Sequence, residues 1–319
     1  QNYLERKINH WLNTRNGTGM VREIDFARYK HPELLTQIMG IDEVLCENSL
    51  DFAEVQSYQA IHPAFSEYLQ SFACVHSGEF NISEDDPAER QTGPAVAMND
   101  DGQFLVIWSG GLKNVSSQRI EAQRFLASGV PLGQRFVVNT GQTDSGYVSN
   151  SDTAFFDDGS FIVVWSYAAA GGTQSVYAQR YFADGTPNGS RFKVNIYNPT
   201  VSTTTNHQTQ PSVATATNGN FAISWTGCNY NCAQREVYAR LYSENGATPN
   251  PVVQVNTSTT GIQYESDIAM ANDGRFTITW TTNPGYSYNP DYSKNWHDVA
   301  AQLFLPDGTK SGGEFRVNT

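Results

Sequence analysis

PAVAMNDDGQFLVIW, residues 94–108, is answered three more times along the chain: by SDTAFFDDGSFIVVW at 151–165, PSVATATNGNFAISW at 211–225 and SDIAMANDGRFTITW at 266–280. Each copy ends on a tryptophan, so that Trp108, Trp165, Trp225 and Trp280 recur at intervals of 57, 60 and 55 residues. A second shared half follows each: IEAQRFLASGVPLGQRFVVNT (120–140), VYAQRYFADGTPNGSRFKVNI (176–196), VYARLYSENGATPNPVVQVNT (237–257) and VAAQLFLPDGTKSGGEFRVNT (299–319). Self-similarity at a fixed period marks a repeat architecture, and it outranks any single-residue motif.

Inside a unit, Asp101-Gly102, Asp158-Gly159, Asn218-Gly219 and Asp273-Gly274 separate two alternating runs. Asx-Gly supplies the positive φ that a tight hairpin turn requires. Asp184-Gly185, Asn245-Gly246 and Asp307-Gly308, with Ser128-Gly129 in the first unit, mark a second hairpin. The pattern predicts four antiparallel strands per unit, repeated radially as β-propeller blades. A sandwich of two units per domain is the competing layout. The same Asp-Gly turns could serve as calcium loops, but D-x-D-x-D-G spacing is absent and turns are the simpler reading. The four tryptophans suit packing between blades better than sugar stacking, because each ends a strand at the same place.

Outward from the repeats, residues 1–76 read differently. Leu4, Ile8, Trp11 and Leu12 fall on one face at helical spacing, and Pro32 and Pro63 stand where first turns of further helices would begin. The expected organisation is a helical N-terminal segment over 1–76 and a propeller-like domain over 77–319, with repeats at about 94–140, 151–196, 211–257 and 266–319. Between the two lies SGEFNIS (77–83), which matches GGEFRVN near the end of the chain at Gly78, Glu79 and Phe80. It is a fourth strand without its own first three.

The pattern DG-x-F-x-V-x-W, A-Q-R-F, G, F-x-V-N resembles the repeats of large bacterial secreted and surface proteins with propeller-like folds, over about two-thirds of the chain. The resemblance implies a binding, adhesive or structural module and brings no catalytic residues. Unit three departs from it at Arg240 and by inserting GCNYNCA, and unit four by Leu303.

The 319 residues carry 20 Lys and Arg against 32 Asp and Glu, a net charge of −12, with no segregated basic patch. Nucleic acid and anionic membrane surfaces are therefore poor partners. No apolar stretch approaches the length of a membrane span, and a chain that opens at Gln1 reads as a mature secreted one, extracellular or on the cell surface. Four cysteines fit that compartment, with Cys228 expected to pair with Cys232 and Cys46 with Cys74. Sequons at Asn16, Asn81, Asn114, Asn188 and Asn256 permit glycosylation.

Chemistry is hard to find. There is no G-x-S-x-G, no H-E-x-x-H, no dinucleotide or phosphate loop, and the histidines are scattered, so no cofactor, no metal and no enzyme is expected. A glycosidase would need two facing carboxylates from different blades, which sequence cannot place. Two features suggest binding instead. The loop TTNPGYSYNPDYSKNWHD gathers Tyr286, Tyr288, Tyr292 and Trp296 as ligand candidates, for glycans above all. The surplus strand offers Phe80 and Ile82, and the C-terminal strand Phe315 and Val317, for exchange with a second copy. The expectation is a non-enzymatic, self-assembling structural or adhesive protein whose main partner is itself, with a carbohydrate-binding propeller as the alternative.

Overall fold

The computed structural model describes residues 81–82, 89–112, 119–141, 146–169, 171–195, 207–228, 234–244, 246, 251–283 and 297–318. The expected helices of 1–76 lie outside them. Each repeat folds into one antiparallel four-stranded sheet whose strands lie in chain order. Blade 1 is β1 (Glu89–Met98), β2 (Phe104–Leu112), β3 (Arg119–Phe125) and β4 (Pro131–Val137). Blade 2 is β5 (Tyr147–Phe155), β6 (Phe161–Ala168), β7 (Ser175–Tyr181) and β8 (Phe192–Lys193). Blade 3 is β9 (His207–Thr215), β10 (Phe221–Cys228), β11 (Arg235–Tyr242) and β12 (Val253–Gln254). Blade 4 is β13 (Ile262–Met270), β14 (Phe276–Asn283), β15 (Asp298–Phe304) and β16 (Lys310–Arg316). Successive sheets meet chiefly through their first strands, β1 on β5, β5 on β9 and β9 on β13. That radial order makes the fold a β-propeller and removes the sandwich.

The repeated letters have local causes. At the first turn of blade 2, Gly159 has φ of 79° and Asp158 Oδ1 accepts hydrogen bonds from Ser160 N at 2.9 Å and Ser160 Oγ at 2.5 Å. Asp184 and Asp307 bind their own turns the same way through Thr186 and Thr309, so these carboxylates are occupied by turn geometry. The Asn of each V-N closes its unit: Asn139, Asn195, Asn256 and Asn318 Oδ1 accept the amides of Ile120, Val176, Val237 and Val299 at 2.7–2.8 Å. This satisfies a backbone donor at the start of the third strand, where no ladder partner stands. The Gln of A-Q ties the second hairpin: Gln123, Gln179 and Gln302 Nε2 donate to the carbonyls of Gly133, Gly189 and Gly312 at 3.1–3.2 Å.

The core lies between blades. In every sheet an aromatic at the start of the second strand stacks on one at the end of the third: Phe104 on Phe125 at 4.8 Å, Phe161 on Tyr181 at 5.0 Å, Phe221 on Tyr242 at 4.7 Å and Phe276 on Phe304 at 4.6 Å. The fourth strand of one blade then lays its Phe on the next pair, Phe136 against Tyr181 at 5.3 Å and Phe192 against Tyr242 at 5.6 Å. The four tryptophans are buried, from 0 to 4% exposed, so they pack rather than offer stacking platforms to solvent. The outermost blades differ from the middle ones. Val96 is 64% exposed, where its counterparts Thr153, Val213 and Ile268 are at most 7% exposed. Val317 is 53% exposed, where Val138, Val194 and Val255 are at most 4% exposed.

Candidate active site at the propeller axis

Each first strand breaks its ladder with a bulge, the register shifting between Thr92 and Ala95, Ser149 and Asp152, Tyr264 and Asp267, and opposite Ser224 and Thr226 in blade 3. One residue in each bulge is left-handed: Gly93, Asn150, Gln210 and Glu265, with φ from 50° to 60°. Three of these four carry side chains, at a backbone cost of order 1 kcal/mol each. Bulges re-aim side chains. Here the re-aimed position, two residues on, holds Ala95, Asp152, Ser212 and Asp267 in blades 1 to 4.

Ser212, 7% exposed, joins the two acids. Its Oγ lies 2.9 Å from Asp152 Oδ2 and 2.9 Å from Asp267 Oδ1. The two carboxylate oxygens are therefore held within twice that distance of one another. Asp152 Oδ2 also accepts the Val213 amide at 2.9 Å, tying blade 2 to blade 3, and Asp267 Oδ1 accepts the Ile268 amide at 2.9 Å. A hydroxyl has a single proton to donate. For both Ser212 contacts to be hydrogen bonds, one carboxyl must carry a proton of its own. Burial pushes the Asp152 carboxyl above the usual carboxylate range; the charge of Asp267 adds to the rise, while the Val213, Thr153 and Ser212 donors oppose it. The surroundings of Asp152 disfavour its charged form, whereas Asp267 is exposed.

Beside this pair, a cavity of about 490 Å³ opens between blades 2 and 3. Its wall includes Tyr147, Asn150, His207, Gln210, Thr226 and Arg235. Gln174 N donates to His207 Nδ1 at 3.3 Å, which leaves Nε2 as the protonated nitrogen of the neutral ring. The Arg235 guanidinium lies over the Tyr264 ring at 5.6 Å, and the Tyr264 hydroxyl is 2.9 Å from His297 Nδ1. Among the described residues no group of three or more His, Cys, Asp or Glu is placed to hold a metal ion. No described helix is long and apolar enough to cross a membrane.

Of the residues singled out from sequence, only some are described. Tyr286, Tyr288, Tyr292, Trp296, Phe80, Cys46, Cys74, Cys232, Asn16 and Asn114 lie outside the described residues. Cys228 ends β10 and is disulfide-bonded, its partner also outside them. Ile82 belongs to no strand, while Phe315 lies on β16 opposite Ala301 and Val317 N donates to Val299 O at 2.7 Å. Phe315 and Val317 thus bond inward to β15, and β16 is the last strand of its sheet. Asn81 is exposed and Asn188 half-buried. Asn256 is corrected as a sugar acceptor: it is 2% exposed, and its amide is committed to Val237 N, Glu236 and Ser258 O.

Neither a family model nor a curated relative matches the sequence. Solved structures do match the fold. The chain is similar to a Hadza microbial sialidase, with a TM-score of 0.51 and 12% identity over 72% of this chain and 46% of that one. It is similar to a protein of unknown function from Dyadobacter fermentans, at 0.52 and 10% over 73% and 71%. It is also similar to a mutant levansucrase from Bacillus subtilis, at 0.50 and 10% over 79% and 80%. The chain spans under half the length of the sialidase. The expectation of a non-enzymatic module is corrected to this extent: the solved propellers similar to this chain include a sialidase and a levansucrase, so the fold is one that enzymes use. Local motifs missed the acids for a physical reason: Asp152 and Asp267 belong to different blades and meet only when the sheets assemble. A column-by-column reading of the repeats would have exposed them, as Ala, Asp, Ser and Asp at one register position.

Proposed function

We propose that this chain acts on glycans, breaking a glycosidic bond at the propeller axis with Asp152 as the proton donor and Asp267 as the partner carboxylate. The observation that carries the reading is the pair itself, two carboxyls joined through the Ser212 hydroxyl at 2.9 Å on either side. Carboxyl groups about 5–5.5 Å apart suit the retaining reaction, whereas about 6.5–9.5 Å leaves room for the water of the inverting one. The Ser212 bridge favours the closer class.

In that scheme Asp152, whose charged form burial disfavours, gives its proton to the glycosidic oxygen as the C–O bond breaks. Asp267, exposed toward solvent, forms the bond to the anomeric carbon. Asp152, now a carboxylate, takes a proton from water, whose oxygen displaces Asp267 and restores both groups. Ser212 positions the two acids. A disulfide at Cys228 supports an extracellular place of work, because such bonds persist mainly in oxidising compartments.

The test is release of reducing ends from a panel of oligosaccharides and polysaccharides by the full chain, with Asp152→Asn and Asp267→Asn alongside. Each substitution should lower kcat by about 10²–10⁴, the usual worth of a positioned acid or base. Turnover that survives both substitutions unchanged, or binding of glycans with no turnover of any, would remove the proposal.

A further inference from the structure

We propose that the cavity between blades 2 and 3 is a subsite for an anionic sugar residue, bearing a carboxylate or a sulfate, held by the Arg235 guanidinium and the Thr226 hydroxyl. It deepens the glycan-acting reading and rests on it for the kind of ligand.

Two buried polar atoms of this wall have no hydrogen-bond partner, Thr226 Oγ1 and Arg235 Nε. Thr226 is 1% exposed, so its hydroxyl cannot be satisfied by bulk solvent. Buried polar groups are ordinarily paired, and both residues line one cavity. The guanidinium also lacks an ion-pair partner among the described residues, as do Arg180 and Arg240. The chain carries 32 acidic side chains, and Arg119, Arg135, Arg275 and Arg316 each meet one of them. Arg235 meets none among the described residues. It is held instead over the Tyr264 ring, which fixes the plane of its fork without neutralising it. A planar guanidinium matches a carboxylate or a sulfate through two parallel hydrogen bonds.

The rest of the wall suits a sugar. Thr209, Gln210 and Asn150 offer uncharged donors and acceptors for ring hydroxyls, and Tyr147, 49% exposed, offers a face for a pyranose. Among the described residues no carboxylate lines the cavity to repel an anion. Its volume of about 490 Å³ lies within the usual range for small-ligand sites. Asn150 and Gln210 each precede Asp152 and Ser212 by two residues, so a sugar in the cavity neighbours one at the acid pair.

The experiment is calorimetric titration of the full chain carrying Asp152→Asn, which keeps the ligand intact. The probes are a galacturonate trisaccharide, a sulfated galactose trisaccharide and the neutral galactose trisaccharide. At least one anionic probe should bind ten-fold or more tightly than the neutral one, and weaken with salt. Adding Arg235→Gln should erase that preference, and Thr226→Val, which keeps shape and charge, should weaken the same probe several-fold. The two anionic arms decide between carboxylate and sulfate. Equal affinity for the neutral probe, no binding by any probe, or an anionic preference that survives Arg235→Gln with the fold intact by circular dichroism would overturn the subsite. Should Asp152→Asn leave turnover untouched while Arg235→Gln abolishes anionic binding, the glycosidase reading fails and the subsite stands.

Discussion

Two columns of the repeat have been treated in opposite ways. In the middle of the second strand stand Trp108, Trp165, Trp225 and Trp280, one residue type four times, buried throughout. In the middle of the first strand stands Ala95, Asp152, Ser212 and Asp267, three residue types at one register position. The tryptophan column is enclosed between sheets, where interiors are close-packed and a change of volume is felt by neighbours on both sides. The axis column faces its own counterparts in other blades, so its chemistry can vary without disturbing the sheets. The difference teaches that the repeat fixes packing between blades and leaves residue type free to vary at the place where blades converge.

The comparison is broken most forcefully at the packing column. Trp165→Ala should cost about 3–5 kcal/mol, as large aromatic truncations in cores do, and urea unfolding followed by tryptophan fluorescence would register it as a lower midpoint. The double variant Asp152→Ala and Asp267→Ala gives blades 2 and 4 the residue that blade 1 already has. It should lose turnover while keeping most of the stability of the parent chain. If the alanine pair unfolds the protein as severely as the tryptophan truncation, the axis column is a structural staple and the division between the columns is false.

A smaller contrast lies within one motif. Asn256 and Asn318 make the same bond, to Val237 N and Val299 N, but the first is buried and the second exposed. Asn256→Ala strands a buried amide and should cost about 1–3 kcal/mol. Asn318→Ala lets water take over and should cost less than about 1 kcal/mol. Chemical denaturation of the two variants side by side measures the difference, and equal losses would mean that burial does not set the worth of this residue.

How far the sequence reveals the molecule follows the same division. The turns, the V-N caps and the A-Q ties depend on residues close in the chain, and each leaves a fixed signature: Asx-Gly, an Asn nineteen residues after the amide it caps, a Gln ten residues before the carbonyl it binds. The four blades and their strand order were legible for that reason. The acid pair was not. Asp152 sits in SDTAF and Asp267 in SDIAM, where a short polar residue in a strand has no local purpose and the partner is more than a hundred residues away. The aromatic loop around Tyr288 is the more conspicuous feature, because clustered aromatics announce themselves in one dimension and facing carboxylates do not.

The smallest effect concerns the proton on Asp152. Its carboxyl is held above the ordinary carboxylate range, chiefly by burial, so between the ordinary value and the raised one the folded protein binds more protons than the unfolded chain. Stability from this group is complete below the unfolded value and is lost as pH rises through the folded one. Asp152→Asn keeps a neutral side chain at every pH and should remove that component of the slope while leaving the rest of the profile in place. Melting temperatures of the two proteins, taken from acid to neutral pH, should therefore converge at low pH and separate upward, with the parent chain the one that falls. Parallel curves would mean that Asp152 is ionised in the folded state as freely as in the unfolded one. The proton in the Ser212 bridge would then have to come from Asp267, and the roles of the two acids would exchange.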